Sequence, residues 1–240
     1  MSDCTLSSFQ RDLILSVCPP GARVVAARFV RDWLQPCPVH VRVALPHGDE
    51  RALILRLDRS AHGVAREAEL LPCLSTLGLP VPDVLAGPGR DPTRPELGPM
   101  SVYTCLPGES LLAWGYRAAP SERPMLASHV YAAILRLQRL TDRLAGHAAA
   151  RTLPRRTLGD ELHALVDPHG RTGWSDDPLC VEAFERLVPL VERVRTPLVF
   201  SNGDCNPDNF LFDGRRLTGF VDFAEACFED PLFGIAKSMT

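Results

Sequence analysis

The stretch from Phe200 to Pro231, FSNGDCNPDNFLFDGRRLTGFVDFAEACFEDP, constrains this chain more than any other. It holds Asp204, Asn209 and Asp222 within nineteen positions, spaced by short apolar runs that read as strands. Burying a charge among strand residues is costly unless something compensates it. The runs LVF and FLF flank a polar loop in which Gly203 admits an unusual backbone angle. LTGFVDF follows, and Phe210–Phe212 is expected to pair with Leu217–Phe223 across the DGRR turn. That pairing brings Asn209 and Asp222 together, with Asp204 on the adjoining loop.

An oxygen-only set of this kind suits a hard cation such as Mg2+, which takes a few carboxylate and amide oxygens and completes its shell with water and phosphate. The remaining carboxylate, Asp204, is a candidate to accept a proton from a hydroxyl nucleophile. A base and two metal ligands are the minimum equipment for phosphoryl transfer from a nucleotide. Taken singly, Asp204, Asn209 and Asp213 are also ordinary turn residues. It is the joint spacing that points to chemistry.

The rest of the chain sets the frame. Its 240 residues are 45% hydrophobic and 23% charged, with a net charge of -3. The length allows two lobes, each able to bury a core. A weakly acidic balance excludes nucleic acid as the main partner. The eight cysteines, Cys4, Cys18, Cys37, Cys73, Cys105, Cys180, Cys205 and Cys227, form no CxxC pair. They read as small hydrophobes in a reducing compartment. No apolar run is long enough for a membrane span, and no signal peptide is evident, so a cytoplasmic protein is expected.

Along the chain, residues 6–17 and 61–77 read as helices, the second interrupted near Pro72. Residues 22–31 are strand or short helix. Residues 40–45 and 51–57 read as a strand hairpin, and MSVYTCL (100–106) as another strand. PVPDVLAG (80–87) reads as a loop leading into a strand. Residues 124–145 read as one long helix, with Pro124 in its first turn. Residues 178–194 are helical up to a kink or end at Pro189, and Asp176 or Asp177 caps that helix. Residues 147–175 carry no clear period. The boundary falls at Pro107-Gly108: residues 1–106 form a small α+β lobe and residues 107–240 a mainly helical one.

The opening stretch resembles the aminoglycoside phosphotransferase and choline kinase-like family, relatives of the protein kinases. That family carries a loop H-G-D-x-x-x-x-N, then a hydrophobic-Asp-aromatic metal motif, then Asp-Pro. The chain has NGDCNPDN (202–209), VDF (221–223) and Asp230-Pro231. The resemblance implies a bilobal protein-kinase-like fold of the α+β class. It makes Asp204 the catalytic base, Asn209 and Asp222 the Mg2+ ligands and Asp230 a structural acid. It implies ATP as phosphoryl donor and a small molecule bearing a hydroxyl as acceptor. In the small lobe it matches Arg56, in LILRL, to the basic residue that grips the nucleotide phosphates, and Glu67 to its partner. Glu69 faces elsewhere on the helix. Tyr103, Thr104 and Cys105 match the hinge that holds the base.

Four departures accompany the resemblance. Asn202 replaces the histidine, with an amide still able to donate to backbone. The loop DWLQPCPV before the second strand has no glycine. Cys227 and Glu229 stand where relatives often have glycine. Relatives usually continue with further helices after Asp-Pro, so the chain reads as a compact variant or a piece of a longer one. These departures leave a catalytically weak or inactive nucleotide-binding scaffold open as the alternative. The identity of the acceptor and the oligomeric state are not legible.

Overall fold

The computed structural model describes residues 2–30, 37–57, 63–166 and 177–238. They divide into two compact units: Met1–Arg117 with Asp208–Ala224, and Ala118–Pro207 with Glu225–Thr240. The boundary expected at Pro107-Gly108 lies inside the first unit, and residues 208–224 return to that unit. The reason is a strand pairing: β9 (Phe210–Phe212) lies between β6 (Glu109–Ser110) and β10 (Leu217–Phe220) in a three-stranded antiparallel sheet.

The first unit is built on a five-stranded antiparallel sheet. Its strands are β1 (Arg23–Phe29), β2 (Val39–Ala44), β3 (Glu50–Leu57), β4 (Val84–Arg90) and β5 (Pro99–Thr104), in the order β1-β2-β3-β5-β4. Residues 22–31, open between strand and helix in sequence, supply β1. The register follows from alternation. Val39, Val41 and Val43 of β2 and Leu53, Leu55 and Leu57 of β3 are buried together with Met100 and Val102 of β5. Burying each such side chain contributes roughly 1.5–3 kcal/mol. Leu6 and Ile14 join that core from the chain before and within helix α1 (Ser8–Leu15). The Ser7 hydroxyl accepts from the Gln10 N–H and the Gln10 side chain accepts from the Ser7 N–H, a capping box that starts α1.

Helix α2 (Gly63–Thr76) runs unbroken through Pro72, contrary to the interruption expected there. Proline removes one N–H, but Leu70, Leu71 and Leu74 are fully buried, and their burial outweighs the lost bond. Helix α3 (Leu111–Arg117) completes the unit, with the Trp114 ring edge-on to Phe212 at 5.6 Å.

The second unit is mainly helical. The long helix expected over 124–145 is two: α4 (Arg123–Gln138) and α5 (Thr141–Ala145). The break serves a tertiary contact. The Thr141 hydroxyl donates to the Gln138 carbonyl at 2.6 Å and accepts from the Phe200 N–H at 2.9 Å. That ties the helices to β8 (Val199–Ser201), which pairs with β11 (Cys227–Glu229). On the other side of β11 lies β7 (Arg155–Arg156), in parallel. Helix α6 (Leu158–Val166) packs with α7 (Pro178–Val191), whose N-cap is Asp177 and whose last turn contains Pro189.

Helix α8 (Pro231–Lys237) begins at Asp230, whose carboxylate accepts from the Leu232 N–H at 2.9 Å. Asp230→Ala should cost about 1 kcal/mol in chemical denaturation and Asp230→Asn much less, since Asn also caps well. Equal losses in the two variants would show that the cap is not what Asp230 provides. Among the described residues no helix is long and apolar enough to cross a membrane, and the described cysteines are all free.

Candidate active site

Period-two geometry places Arg56 on the face of β3 opposite Leu55 and Leu57. On β5, Ser101 stands opposite Arg56, and Tyr103 opposite Ile54. Arg56 and Tyr103 thus leave the apolar core and meet Glu67, which α2 turns inward with 3% exposure. The Arg56 Nε lies 3.5 Å from a Glu67 carboxylate oxygen, an ion pair by distance, although Nε makes no hydrogen bond. The Tyr103 hydroxyl donates to Glu67 Oε2 at 3.3 Å. The other Glu67 oxygen accepts from the Phe223 N–H at 2.9 Å. Glu69, two positions on, is exposed, as its place on the helix predicts.

The Asp222 segment is held to this cluster by three ties. An Arg56 guanidinium N–H donates to Asp222 Oδ1, the Phe223 N–H bonds Glu67, and Arg66 donates to the Ala224 carbonyl at 3.1 Å. Asp222 has φ 62, in the left-handed region, where no other non-glycine residue of the described chain is found. Aspartate tolerates that conformation better than most side chains but still at a cost. The ion pair and the Phe223 bond compensate it. One residue earlier, the Val221 N–H donates to the Asn209 carbonyl at 3.0 Å. The β9–β10 pairing therefore brings Asn209 and Asp222 into neighbouring positions, as expected from sequence.

The electrostatics follow from burial. Burial pulls the Arg56 guanidinium down, but Glu67 and Asp222 beside it outweigh this and hold it above its ordinary value. Burial pushes the Glu67 carboxyl up, against the opposing pull of Arg56. Burial and then the Glu67 charge push the Tyr103 phenol up, so it remains a donor.

Tyr103, Thr104 and Cys105, expected as the hinge, stand differently from one another. Tyr103 contributes its phenol to Glu67, a link that nothing in the sequence pattern signals. The Thr104 N–H donates to the Asp83 carbonyl at 3.0 Å and its hydroxyl accepts from the Asp83 N–H at 2.8 Å. Cys105 is half-buried, and burial raises its thiol. The glycine-free loop, residues 32–39, falls largely outside the described residues; only its end, Cys37, Pro38 and Val39, is described, with Cys37 and Val39 buried.

Asp204 belongs to the second unit and is exposed, not buried as its apolar flanks imply. The buried polar groups near it in sequence are Ser201, Asn202 and Asn209. The Asn202 amide donates to the Asp204 carbonyl at 2.8 Å, the backbone bond expected of it in place of histidine. Its oxygen accepts from the Cys205 thiol at 3.4 Å, and the Ser201 hydroxyl accepts from the Gly203 N–H at 3.0 Å. Burial pushes the Cys205 thiol up to about 11, so it is protonated and serves this network as a donor.

Among the described residues no three His, Cys, Asp or Glu side chains gather into a metal cage. The Asp222 carboxylate and Asn209 amide are hard oxygen donors. That set fits Mg2+, which draws the rest of its shell from water and phosphate rather than from protein.

A family model described as the phosphotransferase enzyme family, APH, matches residues 39–239. Among curated proteins no sequence match was found. Among solved structures, the chain is similar to a thermostable mutant of aminoglycoside phosphotransferase APH(4)-Ia in ternary complex with ADP and hygromycin B. The identity is 17% over 95% of this chain and 75% of that one, with a TM-score of 0.67. It is also similar to APH(2")-IIia in complex with GDP and kanamycin, at 19% identity over 93% and 74% of the two chains and a TM-score of 0.63. At these identities the likeness is one of fold, and the fold is the kinase-like α+β one.

Proposed function

Because the chain belongs to the APH phosphotransferase enzyme family, we propose that it moves the γ-phosphate of ATP to a hydroxyl of a small molecule, with Mg2+ as cofactor. The observation that carries this reading is the cluster of buried Glu67 with partly buried Arg56 and Asp222, closed by the Tyr103 hydroxyl and the Phe223 N–H. A scaffold alone gains little from an arginine held between two acids, since an apolar trio of the same volume is often at least as stable. A phosphate-gripping guanidinium gains orientation from it.

In this reading each residue has one task. Asp204 accepts the proton of the acceptor hydroxyl as its oxygen attacks the γ-phosphorus. Arg56, oriented by Glu67, holds the nucleotide phosphates. Asp222 and Asn209 would hold Mg2+, which when bound neutralises charge on the phosphates. Tyr103, Thr104 and Cys105 line the hinge for the base. The Thr104 N–H is already engaged by Asp83, so Cys105 is the better backbone donor to the nucleotide. Positioning and electrostatics carry most of the rate enhancement. The acceptor class is drawn from the family, and a screen begins with hygromycin B and kanamycin, the ligands of the structural neighbours.

The test is calorimetric titration with a non-hydrolysable ATP analogue, with and without Mg2+, on wild type and Asp222→Ala. The wild type should bind in a Mg2+-dependent manner. The variant should lose that dependence, because one of its two oxygen donors is gone. Binding by folded wild type that is indifferent to both Mg2+ and Asp222 would remove the metal assignment.

A further inference from the structure

Lys237 is the chain's single lysine; every other one of its 26 Lys and Arg residues is arginine. It closes α8, and its ammonium donates to the Gly203 carbonyl at 2.8 Å. It also lies 3.8 Å from Glu229 Oε2 and over the Phe233 ring at 4.4 Å. The Glu229 side chain is only 2% exposed, and its Oε1 has no hydrogen-bond partner. Lys237 is thus the cation beside a buried carboxylate and, at once, the donor to a loop carbonyl.

The Gly203 carbonyl and the Asp204 N–H belong to one planar peptide unit. Fixing that oxygen fixes the plane, and with it the direction in which the Asp204 Cα and side chain leave the loop. The opposite side of the same plane is also constrained. Gly203 has φ +82, and a Cβ there would lie 2.0 Å from the Glu225 carbonyl oxygen. The next peptide is held by Asn202, whose amide donates to the Asp204 carbonyl. Asp204 is therefore clamped by its backbone on both sides while its side chain stays exposed.

We infer that Lys237 is a positioning residue for phosphoryl transfer: by bridging buried Glu229 and the Gly203 carbonyl, it sets the orientation of the Asp204 peptide plane. The catalytic consequence rests on the proposed role of Asp204 as base; the anchoring itself does not.

Hydrogen exchange and turnover on Lys237→Met, Lys237→Arg and Asp204→Asn test it. Lys237→Met removes the ammonium and keeps most of the stem. Its Asp204 and Cys205 amides should exchange at least about tenfold faster, with β3 amides unchanged. Hydrolysis of Mg2+–ATP to ADP and phosphate, with water in place of the acceptor hydroxyl, should fall about 10- to 100-fold in kcat, since a misplaced base costs that much, with KM for ATP little changed. Lys237→Arg keeps a charged donor and should recover most of the loss. Unchanged exchange at Asp204 and Cys205 in Lys237→Met overturns the inference. So does an equal fall in Lys237→Arg, or a fall in kcat matched by faster exchange throughout the unit. If Asp204→Asn turns over like wild type, the base assignment fails, and exchange alone then decides whether Lys237 anchors the loop.

Discussion

Asp204→Asn is expected to lower turnover by about 10^2- to 10^4-fold while changing nucleotide affinity little, the signature of a proton acceptor used only in the transition state. The substitution is nearly isosteric. In the structure the Asp204 side chain is exposed, and its backbone carbonyl accepts from the Asn202 amide. Folding should therefore be untouched, and a fall in rate reads directly as lost chemistry. The amide cannot take the hydroxyl proton, but it still fills the space beside the acceptor. Steady-state kinetics with an acceptor found by screening, alongside calorimetry with the ATP analogue, separates the two effects. A variant with wild-type kcat would show that another group takes the proton. A variant with reduced nucleotide affinity and unchanged kcat would make Asp204 a binding residue instead.

The candidate site was legible in sequence where chemistry imposes residue type and spacing together. Asp204, Asn209 and Asp222 stand in one short segment, and the structure pairs β9 with β10 so that the Asn209 carbonyl meets the Val221 N–H. Arg56 and Glu67 were picked out only by the family resemblance; in the structure strand alternation puts Arg56 off the apolar face, and Glu67 lies on α2 a few residues later. Local signals failed where tertiary packing overrides them. Pro72 reads as a helix breaker, yet the buried leucines around it hold α2 together. Nothing between Arg139 and Leu140 announces a break; its cause is the Phe200 N–H, 59 residues from Thr141. The segment 147–175 hid β7, because a two-residue strand exists only through its parallel partner β11. The resemblance matched Tyr103 to hinge backbone and gave no sign of the phenol that bonds Glu67, 36 residues away. The lysine anchor of the Asp204 loop was invisible for the same reason: a lysine closing a short helix says nothing of the carbonyl it reaches, 34 residues away.

The second large effect should come from Arg56→Met, which leaves Glu67 and Asp222 without their shared cation. Removing one partner of a buried ion pair costs roughly 3–5 kcal/mol, because a buried charge is left uncompensated. With total stabilities typically about 5–15 kcal/mol, that is a large fraction. The loss should depend on pH with a definite sign. Burial already pushes the Glu67 carboxyl above its ordinary 4.5, and Arg56 is the main group opposing the shift. Without Arg56 the folded value rises further. A carboxyl whose folded value lies above its unfolded one favours the fold in its neutral form. That contribution is fully present below the unfolded value and is lost as pH rises through the folded one. The gap between variant and wild type should thus be widest at neutral pH and above, and should narrow as pH falls towards 4.5. Urea denaturation at several pH values measures it. The double variant Arg56→Met, Glu67→Gln should recover part of the loss, since it removes the uncompensated charge and keeps an amide oxygen to accept from the Phe223 N–H. It should not recover nucleotide binding, because the phosphate-gripping guanidinium is still absent. A gap that stays constant with pH would mean that Glu67 is not the group left uncompensated. Nucleotide binding that survives the double variant would separate the cluster from the phosphates altogether.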